Sequence, residues 1–290
     1  MKNRSIILIV IAGILWGTSA IFANLLKPLG YTALQMTAMR AIVSAIIMSV
    51  YVFITDKSLF KVRLSHLFLF ACGGLTTFLS AFFYYESINV SSVSVAVMLM
   101  YTAPVFVMAF SVAFMGEKLT PLKAVSVVCM LIGCCLISGI VGGVEFNARG
   151  VTMGLLSGVS YSSYNIIAKI QMNKKCNPLS ATAYCFMFMA LFAALSADVG
   201  GIFTIASADP VYIYPLIIGV GLFTVALPYF LYTLALKNIP VGTAAALGIV
   251  EPMVATIFGV AFFGDDLTVY SVVGIILILG AVFLLSRSNE

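Results

Sequence analysis

Charge is scarce in this chain. Only 9% of its 290 residues are Asp, Glu, Lys or Arg, where an ordinary soluble domain carries about 25%. Histidine occurs once, as His66, with no ligand-type neighbours, and tryptophan once, as Trp16. The six cysteines form no C-x-x-C pair, and most lie inside apolar runs, where they read as small buried hydrophobes. No metal site, disulfide framework or cofactor is expected from such a set. A membrane-embedded enzyme would need a Ser/His pair, a His-rich metal site or an H-E-x-x-H helix, and the sequence contains none of them. The P-loop pattern G-x-x-x-x-G-K-[ST] is also missing, which excludes ATP-driven pumping by this chain. The formal charge of +5 is no nucleic-acid signal, because the basic residues are scattered through short gaps between apolar runs.

What is abundant is apolar surface: 62% of the residues are hydrophobic. Lipid is the natural solvent for that composition. A spanning helix needs about 20 mostly apolar residues, and ten runs qualify: 5–26, 32–54, 65–88, 92–115, 121–140, 150–171, 179–197, 211–236, 241–263 and 268–286. Lys2 and Arg4 before the first run resemble a signal peptide. That run continues through Asn24 and its pattern recurs later, so it is read as a retained helix. With the N-terminus in the cytoplasm, twelve of the fifteen Lys and Arg residues fall at cytoplasmic helix ends; Lys27 and Arg149 lie outside and Arg40 within a helix. Glu145, Asp198, Asp209, Asp265 and Asp266 fall outside. The expectation is therefore an all-α, multi-pass protein of the cell (inner) membrane with both termini cytoplasmic.

The chain repeats itself. Moved by 148 positions, residues 73–138 fall on 221–286, aligning Gly73, Thr76, Leu79, Phe82 and Tyr84 with Gly221, Thr224, Leu227, Phe230 and Tyr232. Pro104 aligns with Pro252, and VAFMGEKLT at 112–120 with VAFFGDDLT at 260–268, six of nine residues being identical. At an offset of 141, Gly13, Gly17, Ser19 and Asn24 fall on Gly154, Gly158, Ser160 and Asn165. Both halves thus open with G-x-x-x-G, a pattern that lets helix backbones approach closely. Two five-helix repeats follow, 1–140 and 150–290, and an odd helix number turns the second copy upside down. Such inverted repeats commonly surround a central transport site.

G-I-L-W-G at 13–17, Arg40, P-V-F-V at 104–107, G-E-K-L-T at 116–120, I-V-E-P-M-V-A at 249–255 and G-D-D-L-T at 264–268 together resemble the drug/metabolite transporter superfamily, in its EamA-type branch. The resemblance spans the whole chain. It departs in the second copy, where Ser157 stands opposite Trp16 and Asp265 replaces a glutamate. What it implies is a ten-helix basket around a central cavity lined by helices one, three, four, six, eight and nine. It also implies transport, mostly export, of small metabolites, amino acids or drug-like compounds.

Charges inside membrane helices cost about 2.5–3.5 kcal/mol on insertion scales. Glu251 stands out, about midway along the ninth run and beside Pro252, where it could bind a cation, a substrate amine or a coupling proton, or serve as a structural carboxylate. Its repeat equivalent is Ala103, so the fold does not require an acid there. Arg40 is expected to neutralise Glu86 or snorkel, with a substrate carboxylate as the other possibility. Asn24 and Asn165, Ser19 and Ser160, and Thr76 and Thr224 either line the cavity or bond between helices. Trp16, Phe78, Tyr101, Tyr161, Tyr164 and Tyr229 are candidates for an aromatic wall able to stack on a solute. Pro104 and Pro252 are candidate hinges. The favoured reading is a secondary transporter of a small amphipathic metabolite by alternating access, with membrane lipid as its other partner. The rivals are an uncoupled facilitator and a lipid-handling or assembly subunit.

Overall fold

The computed structural model describes residues 2–91, 93–137, 147–264 and 268–287. Glu145, Asp265 and Asp266, and the side chain of Asn24, lie outside the described residues. Every regular element among the described residues is helical. In order they are α1 (Lys2–Gly17), α2 (Ser19–Leu26), α3 (Ala33–Thr55), α4 (Leu64–Val90), α5 (Val93–Met100), α6 (Ala103–Phe114), α7 (Pro121–Ile137), α8 (Ala148–Asn173), α9 (Pro178–Ser196), α10 (Val199–Ala206), α11 (Pro210–Gly221), α12 (Leu227–Ala235), α13 (Val241–Leu247), α14 (Val250–Phe258) and α15 (Val269–Arg287). Short 3₁₀ turns follow α2 and α3, and π turns at Leu222–Ala226 and Gly259–Phe263 follow α11 and α14.

Among the described residues, six stretches are long and apolar enough to cross a membrane: Ala33–Thr55, Leu64–Val90, Val95–Phe114, Pro178–Ser196, Pro210–Ala235 and Val241–Phe262. Asn3–Gly17, Pro121–Ile137 and Val269–Leu284 are apolar but shorter. Ala148–Asn173 is 26 residues long, but its serines, tyrosines and Asn165 make it too polar for that class. The expected count of ten spans is therefore met by length and apolarity in six. Two corrections concern continuity. The first expected run is two helices, broken at Thr18, whose hydroxyl donates to the Leu15 carbonyl at 2.6 Å. The gap expected after residue 197 holds α10, whose first turn Asp198 caps by accepting from Gly201 N–H at 3.0 Å.

The helix starts follow from local chemistry. Thr32 and Gln35 form a reciprocal capping box at α3. Asn147, Asn177 and Asp209 cap α8, α9 and α11, the last two followed by a proline in the first turn. The fourth and ninth runs break at 101–102 and 248–249, just ahead of Pro104 and Pro252. A proline cannot donate to the carbonyl four residues back, so the ladder is interrupted there.

Glycines set how the helices meet. A Cβ on Gly13 or Gly17 would press on Val250 or Val254 of α14, and one on Gly154 or Gly158 would meet Leu99 of α5 or its carbonyl. The first helix of each G-x-x-x-G segment thus packs closely on a broken helix. Gly73 and Gly74 of α4 abut Cys185 on α9, while Gly221 at the end of α11 abuts Val43 on α3. Gly133 of α7 and Gly274 of α15 lie against each other's carbonyl. Contacts between residues of the two halves hold the bundle together, with buried clusters around Trp16, Tyr164 and Tyr232 and around Met39, Phe78 and Phe186.

Candidate functional site

A cavity of about 460 Å³ enters the bundle where α3 begins and α4 ends, the end opposite the chain's start. Tyr31, Ala33 and Met36 lie near its mouth with Ile88 and Asn89. Deeper, it is walled by Arg40, Tyr84 and Tyr229, and it reaches Glu251 and Pro252 at the break between α13 and α14. Glu251 is half-buried in the first turn of α14, where the helix dipole favours a negative charge. The Tyr101 hydroxyl is aimed at its carboxylate in a loose contact that falls short of hydrogen-bonding geometry with any group. Arg40 acts on the same carboxylate from across the cavity.

The inner end is aromatic. Trp16 meets Tyr229 and Tyr161 edge-on with ring centroids 5.2 and 6.5 Å apart, and Tyr232 at a tilt at 5.7 Å. Tyr164 packs on Tyr229 at 5.1 Å, and its hydroxyl is 3.3 Å from that of Thr233. Edge-to-face packing of this kind stabilises a dense plug. Beyond it, at the end where the chain starts, two charged residues hold the α12–α13 connection. Lys169 Nζ donates to the carbonyls of Leu236 and Ile239, each at 2.8 Å. Glu117 Oε1 accepts from Val241 N–H at 2.8 Å.

Of the residues singled out by sequence, Glu251, Trp16, Tyr101, Tyr161, Tyr229, Arg40, Pro252 and Ser19 share this one cavity. Others do not reach it. Thr76 donates to the carbonyls of Cys72 and Gly73, and Thr224 to that of Val220. Asn165 is fully buried and donates to the Tyr161 carbonyl at 2.9 Å. Phe78 stacks on Phe82 and meets Phe192 at a tilt. Pro104 is buried at the start of α6, and Tyr164 lies in the plug. The expected Arg40–Glu86 pairing is corrected: Glu86 pairs with Arg149 at 3.6 Å, while Arg40 Nη1 donates to the Tyr85 hydroxyl at 2.8 Å. The second run (α3) and, through Met189, the seventh (α9) also line the cavity, beyond the set that the resemblance implied. Sequence reasoning missed Thr77, Ser80, Tyr84, Tyr85 and Ile88. Their i, i+3, i+4 spacing marks one face of α4 and was the available signal.

Residues 3–139 and 148–287 each match the model of the EamA-like transporter family. An uncharacterized transporter of Archaeoglobus fulgidus is 29% identical over 210 residues, covering 72% of this chain and 73% of the relative. The uncharacterized transporter YwfM of Bacillus subtilis is 26% identical over 285 residues, covering 97% and 93%. A crystal structure that is 18% identical superposes with a TM-score of 0.81 over 98% of this chain and 96% of that one, a likeness of fold.

Proposed function

The chain belongs to the EamA-like transporter family, and from that premise we propose that it is a secondary transporter moving a small amphipathic metabolite by alternating access. It is a multi-pass membrane transporter, not an enzyme. The observation carrying the finer reading is the one-sided cavity, which enters from one face and stops at Glu251 beside a broken helix. A carboxylate, hydroxyls and tyrosine rings around one cavity suit an amine, a zwitterion or an amphipathic drug-like compound. The two halves, as inverted copies, would rock about this site. The orientation proposed is cytoplasmic termini with the cavity facing outward, supported by twelve of fifteen basic residues at one set of helix ends. Export is the direction the family resemblance favours.

Proton antiport through Glu251 is part of the proposal. A carboxylate can exchange a proton and a carboxamide of nearly equal shape cannot. Glu251→Gln in proteoliposomes is expected to abolish uptake driven by a proton gradient while leaving substrate exchange at equal concentrations measurable. Retained gradient-driven transport with unchanged pH dependence would remove the coupling role.

A further inference from the structure

Among the described residues, the arginine that lines the cavity has no acid within ion-pair distance. Among the described residues no carboxylate lies within 4 Å of Arg40: Glu86 pairs with Arg149, and Glu251 acts on the guanidinium only from across the cavity. The guanidinium engages Tyr85 through Nη1 and lies over its ring, 5.9 Å from the centroid. Its buried Nε has no hydrogen-bond partner. A guanidinium carries five N–H donors in a rigid fork, and burying it half-satisfied is unfavourable. Arg40 lies seven residues into α3, about 10 Å from its start at a rise of ~1.5 Å per residue. At that depth its head has the cavity, not bulk water, beside it.

We infer that Arg40 receives a carboxylate group of the transported molecule. The guanidinium fork matches a planar carboxylate bidentately. Tyr85 holds Nη1 and orients the fork, and with Nε buried out of reach the terminal nitrogens are the ones left to meet the ligand. A single arginine in a cavity that also holds Glu251 suits one negative charge better than the double charge of a phosphate monoester. The molecule then lies with its carboxylate on Arg40 and its amine or proton-donating end toward Glu251, its apolar part against Tyr229 and Trp16. This assignment rests on the transporter reading and specifies the substrate class for the same cavity.

The test uses the purified full chain in detergent and measures melting temperature against added ligand, since a compound that binds only the folded protein raises it. The probes are leucine, phenylalanine and glutamine, their methyl esters, and phenethylamine. The acids are expected to bind at least about tenfold more tightly than their esters, the scale of losing a charge-assisted hydrogen bond. Arg40→Gln should erase that preference. Arg40→Lys, which keeps the charge without the fork, should retain part of it, and Tyr85→Phe should weaken acid binding while leaving the fold intact. Binding of phenethylamine should survive Arg40→Gln and be weakened, not abolished, in Glu251→Gln. Acids and esters binding equally well, no acid binding the folded wild type, or an acid preference that persists in Arg40→Gln would overturn the role of Arg40. If proteoliposomes move none of these compounds, nor cationic dyes or nucleosides, the proposed reading as a secondary transporter of amphipathic metabolites fails.

Discussion

Gly74 lies where α4 presses on α9. A methyl group there would come within 2.5 Å of the Cys185 carbonyl oxygen and 2.8 Å of the Met189 nitrogen, both backbone atoms that no rotamer change can move aside. Gly74→Ala is expected to destabilise by about 1–3 kcal/mol, the usual range for overpacking. Gly280, in α15, has open space around it, and Gly280→Ala is expected to leave the protein unchanged or to stabilise it by up to about 1 kcal/mol through helix propensity. Thermal melts of the two variants in one detergent check the pair, and equal melting temperatures would contradict the packing argument. At this scale the sequence spoke clearly through charges and prolines. Glu251 and Arg40 were conspicuous because they interrupt apolar runs, and both line the cavity. Hydroxyls were misleading. Thr76 and Thr224 align between the halves, yet each bonds to its own helix. Their neighbour Thr77 lines the cavity although it donates to the Gly73 carbonyl as well. Being shared by both copies therefore does not sort site from scaffold: Ser19, Tyr84 and Pro252 are shared and line the cavity, while Thr76 and Thr224 are shared and do not.

Among elements, the breaks before Pro104 and Pro252 were readable from the donor each proline lacks, although Pro215 sits inside α11 without ending it. The break at Thr18 and the short helix α10 were not, since neither contains a proline or a strong change of composition. The α13–α14 break holds three short-range bonds, Gly248 N–H to Ala244, Ile249 N–H to Ala246 and Glu251 N–H to Gly248. Pro252→Ala supplies an N–H that can donate to the Gly248 carbonyl and extend α14 backwards. The expected result is a melting temperature equal to or above that of the wild type with a slower transport rate, because Glu251 would turn with the straightened helix. Unchanged transport kinetics would remove Pro252 as a hinge. Pro104→Ala makes the comparison, since its break carries no acid and its effect should fall on rate rather than on substrate affinity.

For the whole molecule, the question is what keeps one end shut. The cavity stops at the aromatic plug, and on its far side Lys169 and Glu117 grip the α12–α13 connection through three bonds of 2.8 Å. Each involves a charged group, and such bonds contribute about 1.5–3 kcal/mol. Lys169→Met removes two of them while keeping the length of the side chain. A loss of about 3 kcal/mol moves a two-state population by roughly a hundredfold, enough to populate a form open at the end where the chain starts. Glu117→Gln keeps an acceptor for Val241 N–H, so its effect should be smaller. A cysteine introduced at Ala255, on the cavity wall, reports the change. In the parent it should react with a membrane-impermeant maleimide from the cavity's mouth. With Lys169→Met that labelling should fall several-fold and labelling from the opposite side should appear. If labelling stays one-sided while the protein remains folded, Lys169 is a structural tie and the plug alone closes that end.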